Sequence, residues 1–335
     1  MAERALITGG AGFVGLHLAR RLLREGTEVT ILDDFSRGRP DADLREVGRS
    51  ATVVRHDLTA PIPPGLLPRS FDHVYHLAGM VGVRRANERP DQVLEVNLRA
   101  AWHVIDWCRH RPPGAVFLSS TSEVADGATR LGLAAFPVGE QVPFVLPDPA
   151  LPRAAYALSK AAAEAMFRHA GEHFRVRIGR YHNIYGPRMG NDHVIPHFIV
   201  RALARRDPFA VYGPDQTRSF CHVSDAVRAT IAVTRLAVDQ PVVVNIGNDQ
   251  EEIEIGQLVH RVTRLVGYHP AWQVLEPAAG SPDRRLPDLT VLRRLVGYAP
   301  TVSLDTGLRD TLAWYATNRP TVTDPHPVAA SRRVR

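Results

Sequence analysis

The chain predicts an α/β protein, a doubly wound parallel sheet followed by a smaller mixed C-terminal domain. Three observations carry this. Short apolar runs alternate with amphipathic helical stretches over the first two-thirds of the sequence, the pattern of a sheet covered by helices on both faces. A glycine-rich turn, Thr8-Gly9-Gly10-Ala11-Gly12-Phe13-Val14-Gly15, joins the first apolar run to the first helix. Beyond Pro187 the alternation becomes irregular and Pro and Gly accumulate, as in Tyr212-Gly213-Pro214 and residues 277–282, which marks a second unit built partly from insertions.

Candidate strands are 4–8, 28–33, 52–56, 73–77, 115–119, 175–181 and 242–246. Between the first two, Val14, Leu18 and Leu22 recur at helical spacing with Ala19 and Leu23 beside them, and Gly26 supplies the stop; this is a βαβ unit. Residues 1–186, with 222–248 returning to them, are assigned to the larger domain. Residues 187–221 and 249–319 form the smaller one, a wall of a cleft. The proline-bearing stretch 320–335 lacks apolar periodicity and is expected to be a disordered tail.

A chain of 335 residues, 44% hydrophobic and 23% charged, has ordinary globular composition and buries a real core. Its opening residues carry charge at Glu3 and Arg4 before a short apolar run that ends in glycines. That run is too short for a signal peptide or membrane span, so a cytoplasmic protein without membrane contact is expected. Only Cys108 and Cys221 occur, far apart, which excludes a disulfide framework or a cysteine metal site and leaves both as core packing. The net charge is +6, but the cations are dispersed rather than gathered in a block, and nucleic-acid binding is not expected. All but one of those cations are arginines, the exception being Lys160.

The glycine turn has the context a dinucleotide needs. Gly9 permits the tight turn, Gly12 lets the backbone approach a pyrophosphate, and Gly15 lets helix and strand pack closely; the helix N-terminus supplies amides and partial positive charge. Asp33 ends the second strand roughly twenty residues further on, where a carboxylate accepts both ribose hydroxyls. The fold is therefore Rossmann-type. A carboxylate there also repels a 2′-phosphate, which favours NAD over NADP. Arg37 nearby is open to two assignments, a phosphate contact or a solvated loop arginine.

Tyr156-Ala157-Leu158-Ser159-Lys160 places tyrosine and lysine on one helix face at i and i+4. A phenol is a poor base at neutral pH, and a neighbouring ammonium lowers its pKa by favouring phenolate. Lysine offers a compact charge able to bond a nicotinamide ribose beneath the tyrosine, a role a broad guanidinium does not fill equivalently. Upstream, Leu118-Ser119-Ser120-Thr121-Ser122-Glu123-Val124 ends a strand at the sheet edge where open α/β folds bind ligands. The Thr121 hydroxyl is placed to bond the same substrate oxygen as Tyr156. Serine clusters at strand ends are equally ordinary turn chemistry.

At these residues the chain resembles the extended short-chain dehydrogenase/reductase family of nucleotide-sugar epimerases, dehydratases and decarboxylases. The resemblance spans roughly residues 4–316, through the glycine turn, the Tyr156 and Lys160 pair, Arg180-Tyr181-His182-Asn183-Ile184-Tyr185-Gly186-Pro187-Arg188 and Gln216-Thr217-Arg218-Ser219-Phe220-Cys221-His222-Val223. It implies that NAD is lined by Gly9, Gly12, Phe13, Val14, Gly15 and the 33–37 segment of Asp33, Asp34, Phe35, Ser36 and Arg37. It further implies adenine contacts from Asp57 and Leu58, and that Leu77, Ala78, Asn97, Ser119, Tyr156 and Lys160 lie along the cofactor. Asn183, Val194, Tyr212 and Arg218 are the implied nucleotide-sugar contacts, with Thr121 and Arg285 nearer the sugar. A homodimer through the helices containing residues 97–109 and 156–173 is implied as well.

The shared chemistry implied by this resemblance is oxidation of a sugar C4 hydroxyl by NAD with Tyr156 as base, alteration of the 4-keto sugar, and reduction. Thr121-Ser122-Glu123 resembles decarboxylases and 4,6-dehydratases, which set an acidic group beside the hydroxyl. Asp283-Arg284-Arg285-Leu286-Pro287-Asp288 resembles the decarboxylase segment in which an arginine, here Arg285, faces the substrate. Pro187-Arg188-Met189 with residues 216–221 resembles the UDP-glucuronate decarboxylase branch, which leads to UDP-xylose or its 4-keto form. Oxidation at C4 makes a uronate a β-keto acid, so loss of its carboxylate is easy, and Tyr156 and Thr121 stabilise the enolate oxygen. Glu123 or an ordered water, with Arg285, manages the carboxylate and reprotonation at C5. Departures exist: Ala125 stands where the family commonly has tyrosine, residues 125–152 are atypical, and Ala78-Gly79-Met80-Val81-Gly82-Val83-Arg84 resembles uronate 4-epimerases. Arg84 is either a carboxylate contact or a surface arginine. A 4-epimerase of a UDP-hexose or UDP-uronate, or a 4,6-dehydratase, are the alternatives.

Overall fold

Every residue of Arg4–Thr8 after the first is buried, and such a run is stable only with a strand on each side and a helix layer on each face. The computed structural model supplies both. It describes residues 2–318 except Arg39, Arg69, Pro147, Asn191, Asp192, Ala278 and Ala279, and not the side chains of Val83 and Arg84. The stretch 320–335 therefore lies outside the described residues, as does the Arg84 side chain.

In chain order, β1 (Arg4–Thr8), α1 (Phe13–Arg24), β2 (Glu28–Asp33), α2 (Ala42–Val47), β3 (Thr52–Arg55), β4 (His73–His76), α3 (Val83–Glu88), α4 (Pro90–His110) and β5 (Ala115–Thr121) come first. A 3-10 turn, Ser122–Ala125, leads into α5 (Asp126–Arg130), α6 (Ala154–His169), β6 (Arg175–Tyr181), β7 (Ile184–Tyr185), α7 (Val194–Leu203), β8 (Phe209–Tyr212), β9 (Thr217–Ser219) and β10 (Cys221–His222). Then follow α8 (Val223–Thr234), β11 (Val242–Ile246), β12 (Glu252–Glu254), α9 (Ile255–Leu265), β13 (Trp272–Leu275), β14 (Arg284–Arg285), α10 (Thr290–Val296) and α11 (Leu304–Asn318).

All seven expected strands join one parallel sheet in the order β11-β6-β5-β4-β1-β2-β3. The order reverses beside β1, which leaves a crevice at the carboxyl ends of β1 and β4. One boundary differs from the sequence expectation in a way that matters. β5 does not stop at Ser119 but pairs on through Thr121 with Tyr181, so the Ser-Ser-Thr run is strand rather than turn and its backbone is fixed by β6. On one face of the sheet, α1, α2, α8 and α10 bury Leu16, Leu22, Val47, Val227 and Leu292. On the other, α4 and α6 bury Val104, Ile105, Ala163 and Phe167. A third apolar cluster joins α7, α9 and α11 through Phe198, Phe209, Leu258 and Leu308. Three small sheets complete the molecule, among them β12-β9-β14, which carries Arg218 and Arg285 side by side. Cys108 and Cys221 are both buried and unbridged, as expected.

One charged group stands out beneath the crevice. Glu164, fully buried on α6, accepts both Nε and Nη2 of Arg180 at 2.9 Å and the Ser120 hydroxyl at 2.5 Å. Arg180 itself is only 3% exposed and donates a further bond to the Glu140 carbonyl. The pair thus ties α6 to β5, β6 and the 136–140 segment. Removing one partner of such a pair strands the other charge in a medium that solvates it poorly. Glu164→Gln is expected to lower unfolding free energy by about 3–5 kcal/mol, measured by urea denaturation; an unchanged midpoint would show that the pair is dispensable.

Candidate active site

The glycine turn shapes the first wall of the crevice. Gly9 has a φ of 70°, and a Cβ there would lie 2.7 Å from the Ala78 amide nitrogen, so no larger residue fits. Gly12 is the N-cap of α1, with no side chain capping the first turn, and a Cβ there would meet only the Gly9 carbonyl. The first amides of α1, those of Phe13 and Val14 among them, thus start a helix whose positive end faces open space. Asp33 closes the far side. Its Oδ2 accepts the Ala11 amide at 2.9 Å and its Oδ1 the Phe35 amide at 2.8 Å, which leaves a lone pair on each oxygen for vicinal hydroxyls. Burial raises the Asp33 pKa, and the two amides oppose that rise. The turn without side-chain cap, the backbone that tolerates no Cβ and the fixed carboxylate together fit NAD.

The 33–37 segment then folds over this wall. Phe35 takes a φ of 63°, and Asp34 accepts the Ser36 amide and hydroxyl. Arg37 donates to the Val81 carbonyl at 3.2 Å. Asp57 caps the Thr59 amide, and the Leu58 carbonyl is held by His103. An arginine outside the sequence expectations acts on the same turn: Arg188 donates to the carbonyls of Ala11 and Gly12 and pairs with Asp41 at 2.7 Å.

At the end of β4, Leu77 and Ala78 leave the sheet, with the Ala78 amide bonded to the Thr8 hydroxyl. Asn97 is buried behind this bend, where its side chain bonds both the amide and the carbonyl of Met80 and donates to Ser159 at 2.9 Å. Through Ser159, which in turn donates to the Tyr156 carbonyl, Asn97 positions the start of α6. Lys160 is 5% exposed and donates to the Ser119 carbonyl at 2.8 Å. Burial lowers its pKa to about 8 against the support of Glu164, four residues on. Beside it His76 is neutral, its pKa pushed down to about 3 by burial and by the Lys160 charge.

Tyr156 faces Thr121 and Glu123 across the mouth. Burial and the Glu123 carboxylate raise the phenol pKa, while the nearby Thr121 hydroxyl and the cations of Arg37 and Arg285 pull it down. Arg37 and Arg285 thus act on the phenol from the mouth, while Lys160 lies one turn along the same helix, bonded to the β5 backbone. Arg285 stands at the opposite lip on β14. It is clasped by Asp126, Nε to Oδ1 at 3.3 Å and Nη2 to Oδ2, and its Nη2 lies 3.6 Å from Glu123. Arg153 comes within 3.8 Å of the same Glu123 oxygen.

The remaining expected contacts sit on the small sheets. Asn183, at a φ of 44°, donates to the Ser219 carbonyl, Val194 opens α7 and Tyr212 ends β8. Arg218 commits its donors to the loop around it, to the carbonyls of Thr217, Pro282 and Asp283 and the side chains of Gln216 and Ser281. Burial and the neighbouring Arg285 charge lower its pKa to about 10. The structure therefore gathers Thr121, Glu123, Tyr156, Lys160 and Arg285 about one crevice, whereas Arg218 is turned into its own loop. Sequence reasoning missed Asp126, Arg153 and Glu164. Glu164 had a signal, since Tyr156, Lys160 and Glu164 are spaced by four along one helix face; Asp126 follows Glu123 by three residues.

The Asp33 arrangement has a direct test. Asp33→Ala removes both acceptors that the turn holds in place and is expected to weaken NAD binding by about tenfold or more, as charged hydrogen bonds of this kind do. Calorimetric titration that finds the parent affinity would refute the ribose assignment.

Comparison with known proteins agrees with this geometry. The family model described as NAD dependent epimerase/dehydratase family matches residues 5–247. A UDP-N-acetyl-alpha-D-glucosaminuronate decarboxylase of Bacillus cytotoxicus is 33% identical over 329 residues, 94% of this chain and 98% of the relative. A UDP-glucuronic acid decarboxylase 1 of Xenopus tropicalis is 34% identical over 93% of this chain and 72% of its own length. Among solved structures, a UDP-glucuronic acid 4-epimerase from Bacillus cereus, in complex with UDP-glucuronic acid and NAD, superposes with a TM-score of 0.82 at 25% identity, covering 94% of this chain and 99% of that one. The chain belongs to the NAD-dependent epimerase/dehydratase family.

Proposed function

We propose that this enzyme decarboxylates a UDP-hexuronate, UDP-glucuronate in the first instance, through a 4-keto intermediate. The observation that carries this choice is the Arg285 guanidinium, which stands at the lip of the crevice beside Glu123 and opposite Tyr156. A neutral hexose has no use for that cation, whereas a C6 carboxylate does. The similarity to two uronate decarboxylases over nearly the whole chain points the same way.

Bound NAD supplies the oxidant for the C4 hydroxyl and returns the electrons at the end of the cycle. The protein does the rest. Tyr156 takes the hydroxyl proton, and Thr121, beside the phenol, steadies the same oxygen. Lys160 holds its charge at the Ser119 carbonyl, and its two remaining donors would serve a ribose hydroxyl of the bound cofactor. Glu123 orders a water or the sugar edge, and the hydrogen bonds of Tyr156 and Thr121 stabilise the enolate oxygen that forms when carbon dioxide leaves. A 4-epimerase of UDP-glucuronate is the second assignment, favoured by the solved structure of such an enzyme with the same fold.

The two differ in mass. Incubated with UDP-glucuronate and NAD, the protein is expected to give a nucleotide sugar lighter by one carbon dioxide. Unchanged mass with a new stereoisomer would establish the epimerase, and loss of water a dehydratase.

The family resemblance also supports a homodimer through α4 and α6, which pack together on one face of the sheet. Trp102 on α4 is 52% exposed and Leu158 on α6 is 39% exposed, an apolar pair on neighbouring helices. Light scattering is expected to report a dimer at micromolar protein, and Trp102→Glu to convert it to monomer; a monomeric parent would dismiss this interface.

A further inference from the structure

Asp126 has no part in the assignments above, yet it makes a two-point contact with Arg285 at the sugar end of the crevice. It is the first residue of α5, immediately after the turn that carries Glu123, and its partner Arg285 lies 159 positions away on a different sheet. The clasp is side-on: one carboxylate oxygen takes Nε and the other Nη2. A guanidinium has five N–H donors on two further faces. Here Nη1 makes no hydrogen bond among the described residues, and Nη2 presents its other side toward Glu123. Arg285 is thus oriented, accessible at one end and already shared between two carboxylates, with side-chain exposures of 13% for Arg285, 21% for Asp126 and 17% for Glu123.

We propose that Asp126 is a positioning residue that tempers Arg285, turning Nη1 toward the C6 carboxylate of the substrate while sharing enough of the cation that the carboxylate is not held back from leaving. This rests on the uronate decarboxylation proposed above. In that reaction the C5–C6 bond of the 4-keto sugar breaks, its electron pair passes to C5 and into the C4 carbonyl as an enolate, and carbon dioxide departs. C5 is then protonated from water. Negative charge leaves the carboxylate in the transition state, so a cation bound to it stabilises the ground state more than the transition state. An undivided Arg285 binds the uronate tightly and slows its breakdown. Asp126 moderates both effects and keeps the guanidinium plane fixed.

The signature is an opposite movement of affinity and rate confined to the acidic sugar. Asp126→Asn keeps an acceptor for Arg285 but removes the charge. With UDP-glucuronate it is expected to lower KM and the calorimetric Kd by about tenfold and to lower kcat by a similar factor. The Kd for UDP-glucose, which lacks the carboxylate, is expected to stay within about twofold. Asp126→Glu restores a carboxylate and is expected to recover part of kcat, while melting temperatures report any general loosening. A weaker Kd for UDP-glucuronate, equal changes for both sugars, or parent values throughout would each overturn the proposal. If the parent protein does not release carbon dioxide from UDP-glucuronate, the proposed reaction fails by itself, and the two calorimetric affinities still decide whether Asp126 attenuates Arg285 toward a carboxylate.

Discussion

The buried pairing of Glu164 with Arg180 is the constraint on which the rest of the site depends. α6 buries Ala155, Ala163 and Phe167 against the sheet, and these apolar contacts are less directional than a paired charge. A carboxylate that accepts two guanidinium bonds and a Ser120 hydroxyl admits one arrangement only. That arrangement fixes Lys160 one turn away at the Ser119 carbonyl and Tyr156 two turns away beside Thr121. Asn97 does the same work from the opposite side, through Ser159 and the Met80 backbone. The charged groups of the mouth are therefore held by uncharged or paired groups beneath them, which is how an open crevice keeps its geometry.

The two walls of the crevice are built by different means. The cofactor wall is almost wholly backbone: a turn at Gly9 and Gly12, a helix end, and a carboxylate pinned by two amides. Its chemistry demands close approach and fixed dipoles, and side chains would obstruct both. The sugar wall is the reverse, a set of four charged side chains from the Glu123 turn, α5, the residue before α6 and β14. Such a wall is changed by single substitutions without disturbing the sheet, which accounts for a family that shares one fold while its members carry out different reactions.

Much of this was legible in the sequence because it is local. The seven strands follow from apolar runs bounded by turn residues, and the glycine turn, Asp33 and the tyrosine-lysine pair are each contained in a short window whose spacing has geometric meaning. What was not legible is what depends on pairing at long range. Asp126 is an ordinary helix-opening acid until β14 brings Arg285 against it. The bonds that Nη1 and Nη2 of Arg218 make to the 281–283 loop are likewise invisible in its own sequence window. The extension of β5 to Thr121 likewise comes from its neighbour β6 rather than from its own residues, since serine and threonine runs are poor strand signals alone. The nearness of Arg37 and Arg285 to Tyr156 also escaped, because they come from segments far apart in the chain.

The arginine bias of the chain leaves its surface without a single primary amine on a side chain. The one lysine is sealed under the crevice at 5% exposure, bonded to a backbone carbonyl, with a pKa lowered to about 8. Acylating and crosslinking reagents that ordinarily scatter across a protein thus find a single lysine target here, and a buried one.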